Sequence, residues 1–363
     1  MSLILLILVT LALAAANGAN DNIKGAATLI GSGVIGHRGA IVLATVATAA
    51  GGVVSIFLAN GLLAAFSGKG IVPQEITTSV PFLLAVGVGA AMTIWLATWT
   101  GMPVSTTHAL LGGLLGAGVA MVMQQVAVGT AIKAMLAPLL ISPLIALVFA
   151  FALVPLLRRL RAPSAHGEPC VCSEIEVGHM GTALAIDRTM LAVATEDAPQ
   201  CQPAPGRSVT VLPMRRWLDN THLLSAAAVS FARGLNDTPK IAALAVAGSG
   251  LGVGSASAAV VTAMAAGGLL ASRRVANTLA HKVTRMDAGE GLGGNLVTAL
   301  LVMGASRFGM PVSTTHVSTG ALFGVAASNG GGHAAMIRQI LLAWCFTLPV
   351  AALLAFGTAQ IIS

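Results

Sequence analysis

The sequence predicts an all-α polytopic membrane protein built from two repeats, expected to be inverted, with broken or re-entrant helices around a midplane site. The first observation is composition: of 363 residues, 56% are hydrophobic and only 9% are charged, whereas a soluble domain carries about a quarter charged residues. A soluble fold would need a large dry core with almost no polar surface. Four apolar windows are near or above the ~20 residues that cross a bilayer: Ile41–Phe66, Val80–Trp99, Ala134–Leu157 and Ile340–Ile362. The second observation is an octapeptide that occurs twice in the sequence.

Charge and glycine content fit the same class. The net charge of +7 lies mainly at predicted helix ends and in one central loop, so it indicates membrane orientation rather than nucleic-acid binding. The 42 glycines would let membrane helices approach closely. The apolar run Met1–Ala16 is similar to a signal peptide but lacks a basic start. We expect it to be the first part of a membrane helix.

One long polar stretch separates the two halves. It opens with Arg158, Arg159 and Arg161 and closes with Arg215 and Arg216. Arginines close to membrane ends predict a cytoplasmic loop in a multi-pass protein of the cytoplasmic (inner) membrane. The expected organisation is a first membrane repeat at 1–157, a central loop or small insert at 158–220, and a second membrane repeat at 221–363.

The loop offers a weak candidate metal site. Cys170, Cys172 and Cys201 lie near His166 and His179. A single C-x-C pair is not the usual spacing of a structural zinc site, and reduced cytosolic thiols are the simpler interpretation. We therefore predict no metal and no cofactor. Val209–Leu212 is expected to form a short strand in a folded insert.

The duplicated octapeptide is GMPVSTTH, at Gly101–His108 and again at Gly309–His316. Pro103 favours a helix start, and Ser105 is a natural N-cap. Irregular backbone inside a membrane is tolerated only where it is buried in protein or lines a watery cavity. A helix N-terminus at that depth offers free N–H groups and a positive dipole to an anion. Two copies would surround one anion from two sides. A single copy would instead indicate ordinary hydroxyl packing between helices.

The Asn-Asp pairs form the second element. Alignment of the halves puts Asp21 on Asp237 and Lys24 on Lys240. Ionisable residues inside membrane segments usually mark ion or substrate pathways, and carboxylate and amide oxygens suit a small cation or a proton relay. The alternative is an intramembrane ion pair, because Asp and Lys three residues apart share a helix face. Both interpretations can hold together.

The histidines that end the octapeptides allow two roles. His108 and His316 are either proton carriers or hydrogen-bonded structural residues.

These motifs resemble the inorganic phosphate transporter family, whose members carry a G-A-N-D signature and a P-V-S-T-T-H segment in each half. The chain has Gly18-Ala19-Asn20-Asp21 in full, and Leu235 replaces the alanine in the second half. The P-V-S-T-T-H segments are intact at Pro103–His108 and Pro311–His316. The resemblance covers both halves and excludes only the central loop.

The resemblance implies a secondary active phosphate transporter, a homodimer in the membrane lipid, with one central phosphate site. The implied phosphate ligands are Ser105, Thr106, Thr107, Ser313, Thr314 and Thr315. The implied coupling-ion or proton site comprises Asn20, Asp21, Asn236 and Asp237.

One departure affects coupling. The family signature commonly continues with an Asn three residues after the Asp, where this chain has Lys24 and Lys240. A fixed ammonium could stand where a coupling sodium ion would otherwise bind. It could also neutralise the Asp or attract the anion directly. We therefore predict phosphate symport with H+ rather than Na+, and keep sodium coupling as the alternative.

Other functions remain as alternatives. A permease for another oxyanion, chiefly sulfate, is the nearest rival. A membrane enzyme is disfavoured because nothing orders Ser, His and Asp into a triad. A channel is disfavoured because no charged ring or carbonyl filter is evident. Glu75, Asp287 and Glu290 are expected to be solvated loop charges, and a proton-handling role for one of them is the alternative.

Overall fold

A computed structural model describes residues 2–159, 169–180, 183–195, 207–211 and 214–362. Contacts divide the chain into two compact units. The membrane unit comprises Met1–Pro155 and His222–Ser363, and the insert comprises Leu156–Thr221.

The described residues contain fifteen α-helices, which account for most of the membrane unit. They are α1 (Ser2–Asp21), α2 (Ala27–Gly31), α3 (His37–Leu58), α4 (Asn60–Ala65), α5 (Gln74–Thr77), α6 (Val80–Thr100), α7 (Thr106–Val122), α8 (Val128–Ala131), α9 (Ala137–Arg159), α10 (Met214–Ser249), α11 (Val253–Ala271), α12 (Arg273–Asn277), α13 (Ala288–Arg307), α14 (Thr314–Asn329) and α15 (Ala334–Ile362). A 3-10 turn at Met123–Gln125 and π segments at Ile132–Leu136 and Thr278–Lys282 adjoin them.

Seven stretches of the described chain are long and apolar enough to cross a membrane, which confirms the predicted polytopic helical class. They are Ser2–Asp21, His37–Leu58, Val80–Thr100, Thr106–Gln125, Val128–Leu157, Val253–Ala271 and Ala334–Ile362. The predicted window Ile41–Phe66 was too long, because α3 ends at Leu58 and a separate short helix follows. The hydropathy pattern does not show this break. Asn60 and Gly61, which come just after it, are both poor helix formers.

A glycine-lined crossing joins α1, from the first half of the sequence, to α11, from the second. A Cβ added at Gly18 would lie 1.9 Å from the carbonyl oxygen of Met264. One added at Gly267 would lie 2.0 Å from the carbonyl oxygen of Ala15. Only glycine therefore permits this backbone approach, which is a common basis of helix packing in membranes.

The same crossing recurs between α10 and α3. A Cβ added at Gly234 would lie 2.0 Å from the carbonyl oxygen of Thr48, and one added at Gly51 would lie 2.0 Å from that of Phe231. These residues are related to those of the α1–α11 crossing by the alignment that pairs Asp21 with Asp237. The two halves are thus interlocked by corresponding contacts.

A second pair of crossings joins the helices that follow the octapeptides to the opposite half. α7 packs on α15 and α14 packs on α9, again with glycines facing backbone carbonyls. The contacts are Gly112 with Leu348, Gly116 with Ala352, Gly320 with Pro143 and Gly324 with Leu147.

The insert carries a three-stranded antiparallel sheet of strands β1 (Pro169–Met180), β2 (Ala183–Thr195) and β3 (Arg207–Val211). The strand order is β2-β1-β3, and the register shifts between Glu176 and Val177. Strand β3 confirms the expected strand near Val209, so the all-α prediction applies to the membrane unit rather than to the insert.

Candidate functional site

The first octapeptide connects α6 to α7 through a short break in the helix. α6 ends at Thr100, and Gly101 then takes a left-handed conformation with φ 73°, which favours glycine at a helix C-terminus. Ser105 is the N-cap of α7, and its Oγ accepts a hydrogen bond from the His108 N–H at 3.1 Å. The predicted helix start within the octapeptide is confirmed.

The second octapeptide repeats this geometry between α13 and α14. Gly309 has φ 67°, and Ser313 caps α14 by accepting from the His316 N–H at 3.2 Å. Both helices therefore begin in the buried interior of the membrane unit. Their first N–H groups have no partner within the helix.

The two octapeptides contact each other directly. Thr107 Oγ1 donates to the carbonyl oxygen of Val312 at 3.3 Å, and Thr315 Oγ1 donates to that of Val104 at 2.7 Å. Each octapeptide thus contributes one hydroxyl and one carbonyl to its counterpart. The structure brings together the two segments that the sequence predicted to form one site.

Lys24 places its ammonium group at this contact. It pairs with the carboxylate of Asp21 and donates to the hydroxyl of Thr315 in the opposite half. A third hydrogen bond runs from Nζ to the carbonyl oxygen of Val104 at 3.0 Å. The side chain is buried.

Lys240 has the corresponding surroundings. Its Nζ lies 3.5 Å from Asp237 Oδ1, 2.9 Å from Thr107 Oγ1 and 2.7 Å from the carbonyl oxygen of Val312. Each lysine is therefore surrounded by a carboxylate, a carbonyl and a hydroxyl oxygen. Hard metal cations bind the same kinds of oxygen. Both ion pairs expected from the i,i+3 spacing are present.

Asn20 and Asn236 hold the octapeptide backbone in place. Asn20 Oδ1 accepts from the Val104 N–H, and its Nδ2 donates to the carbonyl of Met102, both at 3.0 Å. Asn236 Nδ2 donates to the carbonyl of Val312 at 3.2 Å. In this conformation both amides therefore support the octapeptides.

Arg233 is a buried cation that the sequence analysis did not single out. Its Nη2 donates to Asn17 Oδ1 at 2.5 Å, its Nη1 donates to Asn22 Oδ1 at 3.2 Å, and its Nε lies 3.8 Å from Asp237 Oδ2. The signal was its position four residues before Asp237 in an otherwise apolar stretch.

Asn17 is the residue that aligns with Arg233, and it joins the two carboxylates. Its Nδ2 lies 3.1 Å from Asp21 Oδ2, 3.3 Å from Asp237 Oδ2 and 2.9 Å from Thr106 Oγ1. It too was not singled out from the sequence.

The charged groups of this cluster do not cancel. Lys24, Arg233 and Lys240 face Asp21 and Asp237, and all five are buried. Three cations against two carboxylates leave one formal positive charge in excess. A buried excess charge is costly unless it is paired, so the cluster favours an anion.

The predicted ligand hydroxyls all have protein partners in this conformation. Ser105 and Ser313 are helix caps, and Thr107 and Thr315 bridge the octapeptides. Thr106 Oγ1 donates to Asp21 Oδ2 at 3.1 Å. Thr314 Oγ1 accepts from Asn236 Nδ2 at 3.1 Å. An anion would therefore have to replace some of these contacts.

The rings of His108 and His316, the last residues of the octapeptides, pack against each other at an interplanar angle of 45°. Their ring centroids are 4.4 Å apart, and Trp344 packs on His316 at 3.9 Å. His108 Nδ1 and His316 Nε2 are buried and have no hydrogen-bond partner among the described residues. This differs from the alternative of fully hydrogen-bonded structural histidines.

The three carboxylates expected to be loop charges divide into two groups. Glu75 is exposed, as predicted, but it lies in the first turn of the short helix α5 rather than in a loop. Glu290 is only 7% exposed and lies in the first turn of α13, where it forms a capping box with the N-cap Asp287. The loop prediction was wrong for Glu290, because the D-x-x-E spacing caps a helix at this point. Asp287 lies just before that helix and is half-buried.

The described residues contain no group of three or more His, Cys, Asp or Glu that could hold a metal ion. Cys170, Cys172 and His179 belong to strand β1. Cys201 and His166, the other members of the weak candidate metal site, lie outside the described residues.

Comparisons with known proteins agree with this architecture. The sequence profile of the phosphate transporter family matches residues 17–355. A Pyrococcus abyssi protein named as a phosphate permease is 27% identical over 402 residues, covering 97% of this chain and 96% of the relative. The chloroplastic inorganic phosphate transporter 2-1 of Arabidopsis thaliana is 25% identical over 404 residues, covering 93% of this chain and 68% of that protein.

Among solved structures, one titled the sodium-dependent phosphate transporter has the same fold. It superposes with a TM-score of 0.76 at 20% sequence identity, covering 99% of this chain and 98% of that one.

Proposed function

The chain belongs to the phosphate transporter family, and we propose that it carries inorganic phosphate across the cytoplasmic membrane by secondary active transport driven by protons. The family consists of transporters rather than enzymes. The observation that carries the proposal is the pair of lysine ammonium groups, each surrounded by oxygen atoms of both octapeptides. We infer from it both the substrate class and the coupling ion.

The phosphate site is proposed to lie between the N-termini of α7 and α14. Each terminus offers free N–H groups and the positive end of a helix dipole. The proposed ligands are the hydroxyls of Ser105, Thr106, Thr107, Ser313, Thr314 and Thr315. Thr107 and Thr315 now bond to the opposite octapeptide. Phosphate would therefore bind when the two octapeptides separate, as expected for a transporter that alternates its access.

The excess positive charge supports an anionic substrate. Arg233 is buried and its Nε has no hydrogen-bond partner among the described residues. It adds a third cation to a cluster that has two carboxylates. A phosphate anion arriving beside Lys24 and Lys240 would compensate that charge.

We propose the proton as the coupling ion because the lysine ammonium groups already contact the oxygen atoms that a sodium ion would need. A sodium ion bound to Asp21 would need the carbonyl and hydroxyl oxygens that the Lys24 ammonium already contacts. The same holds for Asp237 and Lys240. The candidate proton acceptors are the two Asp carboxylates and the unpartnered ring nitrogens of His108 and His316.

Sulfate is a second candidate substrate, and one observation favours it. Asp21 Oδ1 accepts from Lys24, and its Oδ2 accepts from Thr106 and Asn17. This carboxylate therefore offers little acceptor capacity for the proton of hydrogen phosphate. Sulfate carries no such proton, so it would not need that acceptor.

Uptake of radiolabelled phosphate into proteoliposomes tests the proposal. A proton gradient and a sodium gradient are imposed in parallel, each with and without excess sulfate, and protein-free liposomes are the control. We expect proton-driven uptake that sulfate does not inhibit. Sodium-driven uptake would contradict the coupling proposal, and accumulation of sulfate in place of phosphate would contradict the substrate.

Assembly and orientation are proposed on different grounds. The family resemblance implies a homodimer, which the mass of the detergent-solubilised protein tests. The arginines that flank residues 158–220 imply a cytoplasmic insert. Protease applied to vesicles of known orientation should cleave the insert only from the cytoplasmic side.

A further inference from the structure

A basic cavity and an apolar cavity adjoin at one end of α6 and α11. The basic cavity has a volume of about 690 Å³, and the apolar one has a volume of about 610 Å³. Both are lined by Arg273 and Arg274, at the start of α12. The two cavities are therefore adjacent, and neither contains a residue of the octapeptides.

The basic cavity is suited to a phosphate group. Its wall includes Arg38, Arg273 and Arg274, with His37 and the N-terminus of α3 beside them, and no acidic residue is among the described residues that line it. Arg38 and Arg273 are exposed and have no hydrogen-bond or ion-pair partner in the described chain. Two accessible guanidinium groups and a helix N-terminus would bind an anion, because all three offer N–H donors and positive charge.

The apolar cavity is suited to a hydrocarbon chain. It is lined by Met92, Trp95, Leu96, Trp99 and Leu270. Trp99 is 73% exposed and Leu270 is 84% exposed. Tryptophan is enriched at the level of lipid headgroups, where one edge of the ring meets polar groups and the other meets acyl chains.

We propose that these adjoining cavities bind one anionic phospholipid molecule. Its headgroup phosphate would pair with Arg38 and Arg273, and an acyl chain would lie along Trp95, Trp99 and Leu270. The apolar wall favours a phospholipid over free inorganic phosphate, because inorganic phosphate has no apolar group to bury against that wall. Cationic residues beside membrane helices bind anionic lipid headgroups in the same way.

The lipid would lie against the start of the first octapeptide. Arg274 Nη1 donates to the carbonyl oxygen of Trp99 at 2.7 Å, two residues before Gly101. A Cβ added at Gly101 would lie 3.4 Å from the Arg274 carbonyl oxygen. The corresponding Gly309 instead faces Gly61 of the uncharged helix α4. Residues of both halves line the lipid site, which therefore adjoins the first octapeptide and not the second.

Quenching of tryptophan fluorescence by brominated lipid tests the proposal on the full chain. The protein, carrying Trp217→Phe to remove one exposed tryptophan, is reconstituted in phosphatidylcholine with increasing phosphatidylglycerol brominated on its acyl chains. We expect saturable quenching that brominated phosphatidylcholine does not reproduce. The further substitutions Trp95→Phe and Trp99→Phe should abolish the saturable part.

Substitution of the arginines tests the headgroup contact. Arg38→Gln with Arg273→Gln should weaken the preference for phosphatidylglycerol about 25-fold, since each basic side chain near a membrane surface contributes about five-fold. The exposed Arg338, outside both cavities, is the matched control, and Arg338→Gln should change nothing. If the double variant does not fold, each single variant should show about a five-fold loss by the same reasoning.

Three results would overturn the proposal. Equal quenching by both brominated lipids would exclude anionic recognition. An unchanged lipid preference in the arginine variants would exclude the site. Displacement of the lipid by millimolar inorganic phosphate would identify a free-anion site instead. The assay measures no transport, so it does not depend on the proposed substrate.

Discussion

The two halves reach the same lysine geometry from different local structures. Lys24 lies in a turn at residues 22–26, just after α1 ends at Asp21. Lys240 lies within α10, an uninterrupted helix, directly after Pro239. Both ammonium groups nevertheless contact a carboxylate, an octapeptide carbonyl and a threonine of the opposite half. The octapeptides, rather than the segments that carry the lysines, therefore define the position of each charge.

The halves also differ in how each carboxylate is paired. Among the described residues, Asp21 has one cation within ion-pair distance, Lys24, whereas Asp237 has both Lys240 and Arg233. The contacts around the two lysines are duplicated, whereas the contact between Arg233 and Asp237 is not. The contacts that are not duplicated make the two carboxylates unequal.

The largest expected effect comes from removing the lysines one at a time. Lys24→Gln should destabilise the protein by about 3 to 5 kcal/mol, because it leaves Asp21 buried without an ion-pair partner. Lys240→Gln should cost less, since Arg233 still lies near Asp237. Thermal unfolding in detergent measures both variants. An equal or larger loss for Lys240→Gln would contradict the unequal pairing.

A smaller and symmetric effect is expected at the glycine crossings. Gly51→Val and Gly267→Val should each cost about 1 to 3 kcal/mol, because the added side chain meets a backbone carbonyl that cannot move aside. Gly357, in α15, has no neighbour within 4 Å of an added Cβ, so Gly357→Val is the control. Thermal unfolding of the three variants should show two similar losses and one much smaller change.

The smallest effect is expected at the two helix caps. Ser105→Ala and Ser313→Ala should each cost about 1 kcal/mol of stability, the usual contribution of an N-cap. If both hydroxyls also bind substrate, phosphate affinity should fall in both variants. Thermal unfolding and equilibrium phosphate binding separate the two effects. A loss in only one variant would show that the octapeptides are not equivalent.

The sequence contained enough to predict the membrane class, the duplicated motif and both lysine–aspartate pairs. These features depend on composition, on local capping and on a spacing of three residues. The start of α7 at Thr106 and of α14 at Thr314 follows from Pro and Ser in the octapeptide itself. The capping residues determine where these two helices start, independently of contacts with the rest of the fold.

The missed features depend on contacts far apart in the chain. Arg233 bonds to Asn17, 216 residues away, and Lys24 bonds to Thr315, 291 residues away. Neither of these contacts can be predicted from the hydrophobic pattern of the sequence. The glycine-rich surroundings of Glu290 predict a loop, although the helix that it helps to cap packs in the interior. The end of α3 at Leu58 was hidden within an apolar window.

We infer that Lys24 and Lys240 take the place of a coupling cation, and a double substitution of these lysines tests this inference. Lys24→Asn with Lys240→Asn is reconstituted in proteoliposomes, and phosphate uptake is measured in sodium and in choline, beside the unmodified protein. We expect phosphate uptake by the variant to become sodium-dependent or to be lost, because the oxygen cluster then lacks its fixed cations. Unchanged uptake that is indifferent to sodium would contradict it.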